Sequence, residues 1–249
     1  MPADQLALMF VASMARWTPL LIGVGLTPLQ WLPLSIRLVL LLSFGVLSFP
    51  THGVLTSFTE ANSAFFVIAS EFFFGLLLVL QLNVLFAIFS FWGRLLDQQI
   101  GFAASGVMNP GSQETEPLLV SGFMLLAFTL FFTLGLHHHW LSLISTSYQW
   151  FPLGQVIQAD WFLKAALSFG AIFIASVSLF APVVIALFLF DVVMAFVSRN
   201  MPQMNIYFVS MPLKIMLGMV VIHIVVTHFS PAYIHLNALA LDVISESFR

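Results

Sequence analysis

The sequence predicts an all-α, polytopic, membrane-type protein, and three observations support that fold class. Only 7% of the residues are charged and 61% are apolar, whereas a soluble domain carries about a quarter charged residues. Several apolar runs reach the roughly 20 residues that a helix needs to cross a bilayer. No segment shows the period-two alternation of a membrane β-barrel. We therefore expect long helices, some of them broken, and helical hairpins.

The N-terminal part of the chain contains three apolar runs. Residues 6–26 form the first, with Arg16 inside it, and several prolines follow. Residues 34–49 form the second, which is short for a membrane span and is interrupted by Arg37. Residues 62–92 form the third, which is too long for one upright span. It is either one long tilted helix or two helices with a bend.

Three further runs complete the chain. Residues 117–136 begin at Pro117, a residue suited to the first turn of a helix, and an amphipathic stretch follows them. Residues 161–197 carry Pro182, where we expect a break. Residues 206–229 form the last run, and the tail after it predicts a short amphipathic helix at a surface.

Composition excludes several classes of protein. The chain has no cysteine, which excludes disulfides and thiolate metal sites. Its net charge of -3 gives no case for nucleic acid as a partner. The first five residues hold Asp4 and no basic residue, so we expect no signal peptide. Neither a low-complexity linker nor a charge run divides the chain, so we expect a single unit, residues 1–249.

The usual orienting signal of a membrane protein is nearly absent. The seven Lys and Arg residues lie mostly inside or at the edges of apolar runs, and no loop is enriched in them. Two explanations stay open. The chain is simply sparse in charge, or partner subunits set its insertion and final position.

Residues 137–139, three consecutive histidines, are the most obvious metal-binding candidate. Adjacent helical residues point about 100° apart, so the three cannot meet one metal ion from a regular helix. The sequence contains neither an HExxH motif nor a GxSxG motif nor a phosphate-binding loop. We expect no metal, no cofactor and no catalytic residue. An intramembrane enzyme with a metal at these histidines is a weaker alternative.

Two acidic residues, Glu71 and Asp191, lie within apolar runs. An acid at the centre of a membrane helix costs about 3 kcal/mol to insert, so each needs a purpose. One interpretation is an ion-coupled secondary transporter that uses both acids. The other is structural pairing with Arg199, Lys214 or a basic group of a partner. The sequence favours pairing, because it lacks a clear inverted repeat of broken helices.

A polar, glycine-rich segment separates the third and fourth apolar runs. Arg94 and Asp97 are three residues apart, so they could pair on one helix face. Small residues follow Phe102, and the apolar Val107 and Met108 precede a turn. A flexible, mostly uncharged loop with a methionine can deform around varied cargo, and a hydrophobic constriction can close a pore.

Two motifs resemble signatures of the flagellar export-gate family FliR, which includes the T subunits of injectisomes. Residues 93–102, GRLLDQQIGF, with residues 109–112, NPGS, resemble the central segment of that family. Arg199, the PQMN of residues 202–205 and the PLK of residues 212–214 resemble the second signature. The likeness in length and hydropathy covers nearly the whole chain. Asn109 departs from the aspartate expected before Pro-Gly.

The resemblance implies a non-enzymatic core subunit of the flagellar type III secretion export gate, a hetero-oligomeric helical pore for unfolded flagellar proteins. It implies FliP and FliQ as partners, with five P and four Q chains per R chain, and FlhB and FlhA-type export proteins. It also implies a P-like part joined to a Q-like part, contact with lipid, and a place in the bacterial inner membrane within the flagellar basal body. The proton gradient and a partner ATPase would supply the energy. The PQMN form favours the flagellar branch over the injectisome branch.

The resemblance also implies that a loop matching Gly101–Pro117 plugs the closed channel. The plug candidates are Phe102, Gly106, Val107, Met108, Asn109 and Pro110. We further predict polar contacts between helices or subunits at Arg94, Asp97, Gln98, Glu71, Asp191, Arg199, Gln203, Asn205 and Lys214.

Overall fold

A computed structural model of the chain describes residues 3–23, 32–51, 64–102, 117–154, 159–201, 203 and 205–247. Every regular element within those ranges is an α-helix, which confirms the all-α fold class. The helices are α1 (Ala3–Leu21), α2 (Leu34–Thr51), α3 (Ala64–Ile100), α4 (Leu118–Thr133), α5 (Leu136–Trp150), α6 (Ala159–Asn200), α7 (Ile206–Thr227) and α8 (Phe229–Ser247).

Several helices are long and apolar enough to cross a membrane. Three of them have the length and the hydropathy of a membrane span: Ala64–Ile100, Leu163–Asn200 and Phe208–Thr227. Helices α4 and α5, which meet at a 68° bend, are together long and apolar enough to form a broken fourth span or a re-entrant loop. The prediction of a polytopic helical membrane protein is therefore confirmed.

Helices α3 and α6 run without interruption for 37 and 42 residues. The third apolar run is thus one long helix rather than two. The break expected at Pro182 is wrong, because this proline lies inside α6. A helix end in a hydrocarbon environment would leave unpaired backbone groups, which costs more than the one hydrogen bond that proline removes. The apolar neighbours of Pro182 therefore keep the helix intact.

The bend between α4 and α5 has a local cause. Gly135 adopts a left-handed backbone with φ 70°, and the amide of His138 donates to the Gly135 carbonyl at 3.0 Å. Glycine reaches this conformation without the steric cost that a side chain imposes. The helix of the fourth apolar run, α4, therefore ends at Thr133, and the three histidines lie in the first turn of α5.

The chain divides into two compact units. Unit 1 comprises Met1–Leu85, Phe131–Ala171 and Ala238–Arg249, and unit 2 comprises Phe86–Leu130 and Ile172–Asn237. Both units draw on early and late parts of the sequence, so neither corresponds to one continuous half. The P-like and Q-like parts that the resemblance implies stay a prediction.

In unit 1, aromatic stacking and a glycine bring the helices together. Trp17 of α1 stacks on Phe44 of α2, with ring centroids 4.9 Å apart. Phe74 of α3 stacks on Phe151, which follows α5, at 4.8 Å. Gly75 lies directly against the backbone of α1, where a Cβ atom would overlap the carbonyl oxygen of Arg16. Helices α1 and α3 therefore approach too closely for any larger residue at position 75.

In unit 2, buried aromatic rings from four helices form the core. Phe89 of α3 lies with its ring centroid 5.0 Å from that of Phe229 and 5.4 Å from that of Tyr233. Trp92 stacks on Phe180 of α6 at 5.2 Å. Phe123 of α4 packs on Phe180 at 5.5 Å. Such rings bury large apolar areas and gain further energy from their offset or edge contacts.

Two glycines in unit 2 differ in the space around them, so substitution by alanine should affect stability in opposite ways. A Cβ atom at Gly93 would lie 2.7 Å from the Cα and 2.9 Å from the amide nitrogen of Val120, whereas one at Gly122 meets nothing within 4 Å. We expect Gly93→Ala to lower the free energy of unfolding by about 1–3 kcal/mol, because the backbone of α4 must move. Gly122→Ala should be neutral or stabilise by up to about 1 kcal/mol.

The thermal unfolding midpoint in detergent, followed by tryptophan fluorescence, measures both effects. Equal midpoints for the two variants would contradict the close approach of α3 and α4.

Candidate functional site

The polar residues that the sequence analysis singled out do not form one site. The structure places them in separate groups. A buried ion pair lies in unit 1, while unit 2 contains a buried carboxylate at the end of α3 and a half-exposed ion pair between α6 and α7.

The ion pair of unit 1 joins α1 to α3. Arg16 and Glu71 are 1% and 0% exposed, and the Arg16 Nε group donates to Glu71 Oε2 at 2.7 Å. The remaining guanidinium groups donate to Ser147 Oγ at 3.0 Å and to the Phe151 carbonyl at 2.9 Å. Glu71 Oε1 accepts a hydrogen bond from the amide of Gly154 at 3.0 Å. Two helices, the end of α5 and the turn after it are therefore fixed around one charge pair.

Aromatic rings surround the Arg16 guanidinium. Its Cζ atom lies 4.0 Å from the ring centroid of Tyr148, 4.6 Å from that of Phe74 and 5.6 Å from that of Phe151. The Tyr148 hydroxyl donates to the Ser13 carbonyl at 3.0 Å. A cation above aromatic faces is stabilised by the ring quadrupole, and more strongly where water is excluded.

This pairing corrects the partners suggested for Glu71. Glu71 pairs with Arg16 rather than with Arg199, Lys214 or a basic group of a partner. The position of Arg16 inside the first apolar run was the signal in the sequence that could have indicated this pairing. Both carboxylate oxygens of Glu71 accept hydrogen bonds within the chain. The residue therefore serves helix packing in this structure, and the geometry gives no support to an ion-coupled transporter.

In unit 2, Asp97 at the end of α3 holds the start of α4. Its carboxylate is 1% exposed and accepts from the amides of Leu119 at 3.0 Å and Val120 at 3.3 Å. The first amides of a helix lack partners within the helix, and its positive end favours an anion. The local Arg94–Asp97 pair expected from the spacing is therefore wrong. Arg94 is exposed, while Asp97 faces the unpaired amides of α4.

This contact fixes both ends of the segment expected to plug the channel. Helix α3 ends at Ile100. Gly101 follows it with φ +98°, and Phe102 comes next, half-buried. Pro117 precedes α4, whose first turn is bonded to Asp97. We call these anchored residues, Asp97–Phe102 and Pro117–Val120, the loop base. The other plug candidates lie outside the described residues: Gly106, Val107, Met108, Asn109 and Pro110.

The second ion pair links α6 to α7. Lys214 Nζ lies 2.7 Å from each carboxylate oxygen of Asp191, and the two side chains are 17% and 53% exposed, respectively. Four further residues of unit 2 were predicted to make polar contacts between helices or subunits, and all four are exposed: Gln98, Arg199, Gln203 and Asn205. The Asn205 carbonyl accepts from the amide of Phe208 at 3.2 Å and so begins α7.

The histidines after the bend pack against rings. The ring centroid of His137 lies 5.2 Å from that of Phe132 and 4.0 Å from that of His138. His138 and His139 are exposed. Within the described part of the chain, no group of three or more histidine or acidic side chains is arranged to hold a metal ion.

Large apolar side chains cover the outer surface of α6 and α7. Examples with half or more of their surface exposed are Leu167, Ile174, Phe188, Phe196, Phe208 and Met216. Water would strongly disfavour such a surface, so it faces lipid or other apolar subunits. Together with the long helices, it defines the class of polytopic helical membrane proteins.

Comparison with known proteins gives the family. Residues 7–239 match the family model described as bacterial export proteins, family 1, and the chain belongs to this family. It is 31% identical to the flagellar biosynthetic protein FliR of Aquifex aeolicus over 205 residues, which cover 77% of this chain and 74% of the relative. It is 30% identical to FliR of Bacillus subtilis over 152 residues, spanning 59% of each protein.

A relative that is named for translocation of Yop proteins, rather than for flagellar biosynthesis, matches over a similar length. Yop proteins translocation protein T of Yersinia pestis is 29% identical over 164 residues, which cover 62% of this chain and 60% of the relative. The resemblance to the FliR and T-subunit family is therefore confirmed.

The buried ion pair predicts a non-additive response to mutation. Arg16→Met leaves the Glu71 carboxylate buried without its partner, and we expect the free energy of unfolding to fall by about 3–5 kcal/mol. The double variant Arg16→Met, Glu71→Leu should recover most of that loss, because no unpaired charge remains. Arg94→Met, at an exposed position, is the matched control and should change little.

Unfolding midpoints in detergent compare the four proteins. A double variant no more stable than Arg16→Met would contradict the assignment of Glu71 as the dependent partner.

Proposed function

We propose that this chain is a non-enzymatic core subunit of a type III export gate and that its Gly101–Pro117 loop closes the export channel. Membership of the bacterial export family supports the export role. The relatives named for flagellar biosynthesis and for translocation of Yop proteins support the same assignment.

The observation that carries the plug assignment is the loop base. The Asp97 carboxylate bonds the last turns of α3 to the first turn of α4, so the loop leaves and returns at one fixed place. Its sequence is mostly small and uncharged, with Val107 and Met108 at its centre. Such side chains exclude water from a narrow passage and still yield to varied cargo.

The proposed partners are FliP and FliQ, five and four copies per copy of this chain, together with FlhB and FlhA-type proteins. The apolar surface of α6 and α7 supports association with equally apolar chains. The proposed place is the bacterial inner membrane within the flagellar basal body, where unfolded flagellar proteins are the cargo. Export energy would come from the proton gradient and a partner ATPase.

Deleting residues 106–111 tests the plug. We expect the assembled gate to leak small ions, because the stopper is gone while the loop base still joins α3 to α4. Conductance of the reconstituted complex measures the leak, and co-purification of the partners checks assembly. Replacing the same residues with a glycine-serine spacer of equal length is the matched control for loop length.

The two variants together decide the assignment. A leak in both shows that the side chains close the passage, and a leak in the deletion alone shows that loop length closes it. An assembled deletion variant with the conductance of the unaltered gate would refute the plug.

Co-purification tests the proposed assembly itself. Affinity purification of the full chain from membranes should yield a stable complex with two other small, very apolar chains in unequal copy number, which native mass spectrometry counts. A monodisperse chain that alone drives ion-coupled uptake, abolished by Glu71→Gln, would instead establish the transporter.

A further inference from the structure

We propose that unit 1 holds one phospholipid whose headgroup carries an ammonium with N–H donors, in a groove between α1, α2 and α5. The groove has two successive parts. The first, the polar cavity, has a volume of about 560 Å³ and is lined by Trp17, Phe44, Leu47, Ser48, Leu141, Ser142, Ser145 and Gln149. The second, the apolar cleft, has a volume of about 190 Å³ and includes Leu20, Leu40, Leu82, Phe132, Trp140 and again Phe44 and Leu141.

The two parts follow one another along the same helices. On α2 the cleft contacts Leu40 and Phe44, and the cavity continues to Ser48. On α5 the cleft begins at His137 and the cavity ends at Gln149. At 1.5 Å per residue these stretches span about 12 Å on α2 and about 18 Å on α5. The groove is therefore long enough for a headgroup and part of an acyl chain, placed end to end.

The apolar cleft fits hydrocarbon rather than water. Its lining consists of apolar and aromatic side chains with the single addition of His137. An apolar cavity of about 150 Å³ stays dry and binds small hydrocarbons, and this cleft is of the same order. Side chains from α1, α2, α3, α4 and α5 line it, and one side of it is open. A thin acyl chain fits a narrow cleft of this volume.

The polar cavity lacks formal charge. Among the described residues that line it there is no acidic or basic side chain. Arg16, the neighbour of Trp17, is already neutralised by Glu71. An anionic headgroup would therefore find no cation here, and a zwitterionic headgroup matches the cavity.

The hydroxyls of α5 present acceptors to this cavity. Ser142 Oγ donates to the His139 carbonyl at 2.9 Å, and Ser145 Oγ donates to the Ser142 carbonyl at 3.0 Å. Each hydroxyl has thus used its hydrogen and retains acceptor lone pairs. Gln149 adds an amide with both a donor and an acceptor. Phosphatidylethanolamine, whose ammonium carries N–H donors, matches this set, whereas the choline headgroup has no N–H to offer.

Photo-crosslinking tests the site in the assembled protein. Membranes that contain the full chain with its native partners are fused with vesicles carrying a diazirine acyl chain on phosphatidylethanolamine, phosphatidylcholine or phosphatidylglycerol. Crosslinked peptides are then mapped by mass spectrometry. We expect the phosphatidylethanolamine probe to label the peptides around Phe44 and Leu141 about two- to tenfold more than the other probes, the weight of one hydrogen bond.

Two pairs of variants separate this site from the general lipid shell. Leu40→Trp fills the cleft and should abolish the labelling, whereas Leu42→Trp, on the exposed side of α2, should leave it unchanged. Ser145→Ala removes an acceptor and should reduce the headgroup preference. Ser43→Ala removes an exposed hydroxyl that bonds its own helix. This control should leave the headgroup preference unchanged.

Three results would overturn the proposal. Equal labelling by all three probes would remove the headgroup preference. Equal labelling of the two tryptophan variants would place the lipid on the outer surface only. Absence of labelling at Leu141 in the assembled complex would mean that a partner subunit covers the groove.

Discussion

The structure depends on one constraint: a charge buried in this apolar chain needs compensating partners, and the buried charges of the described residues find them within the chain. Arg16 and Glu71 illustrate it, because their hydrogen bonds and the surrounding rings satisfy both charges away from water. A buried pair of this kind adds little net stability, but breaking it is costly. The pair therefore selects which helices meet in unit 1. Asp97 has the same effect at the start of α4.

Packing outside these contacts is almost entirely apolar, and this explains the exposed faces of α6 and α7. Lipid tails are as apolar as leucine, so no hydrophobic force drives such helices together within a membrane. Glycines that allow close approach, such as Gly93 against Val120, and interlocking aromatic rings then provide the specific contacts. The remaining apolar surface suits contact with lipid or with other apolar surfaces.

The sequence predicted the helical class and the family, and it singled out Glu71 and Asp97, which the structure buries, but not the partners that they find. The apolar runs became helices because each exceeds the length of a span. Glu71 is 55 residues from Arg16 in the chain, and no local spacing connects them. Asp97 is buried against the first amides of α4, whereas Arg94 is exposed, so their spacing in the sequence did not predict the contact. Pro182 did not end α6, because in this apolar stretch unpaired backbone groups are too costly.

The proposed plug requires Asp97 to anchor the loop between α3 and α4. The most direct test is the conductance of the assembled, reconstituted gate carrying Asp97→Leu, with Gln98→Leu at the adjacent exposed position as its control. Amide hydrogen exchange at Leu119 and Val120 reports whether α4 has loosened. We predict faster exchange and a raised resting conductance for Asp97→Leu, and neither change for Gln98→Leu. Faster exchange with an unchanged, closed channel would contradict the claim that this anchored loop seals the passage.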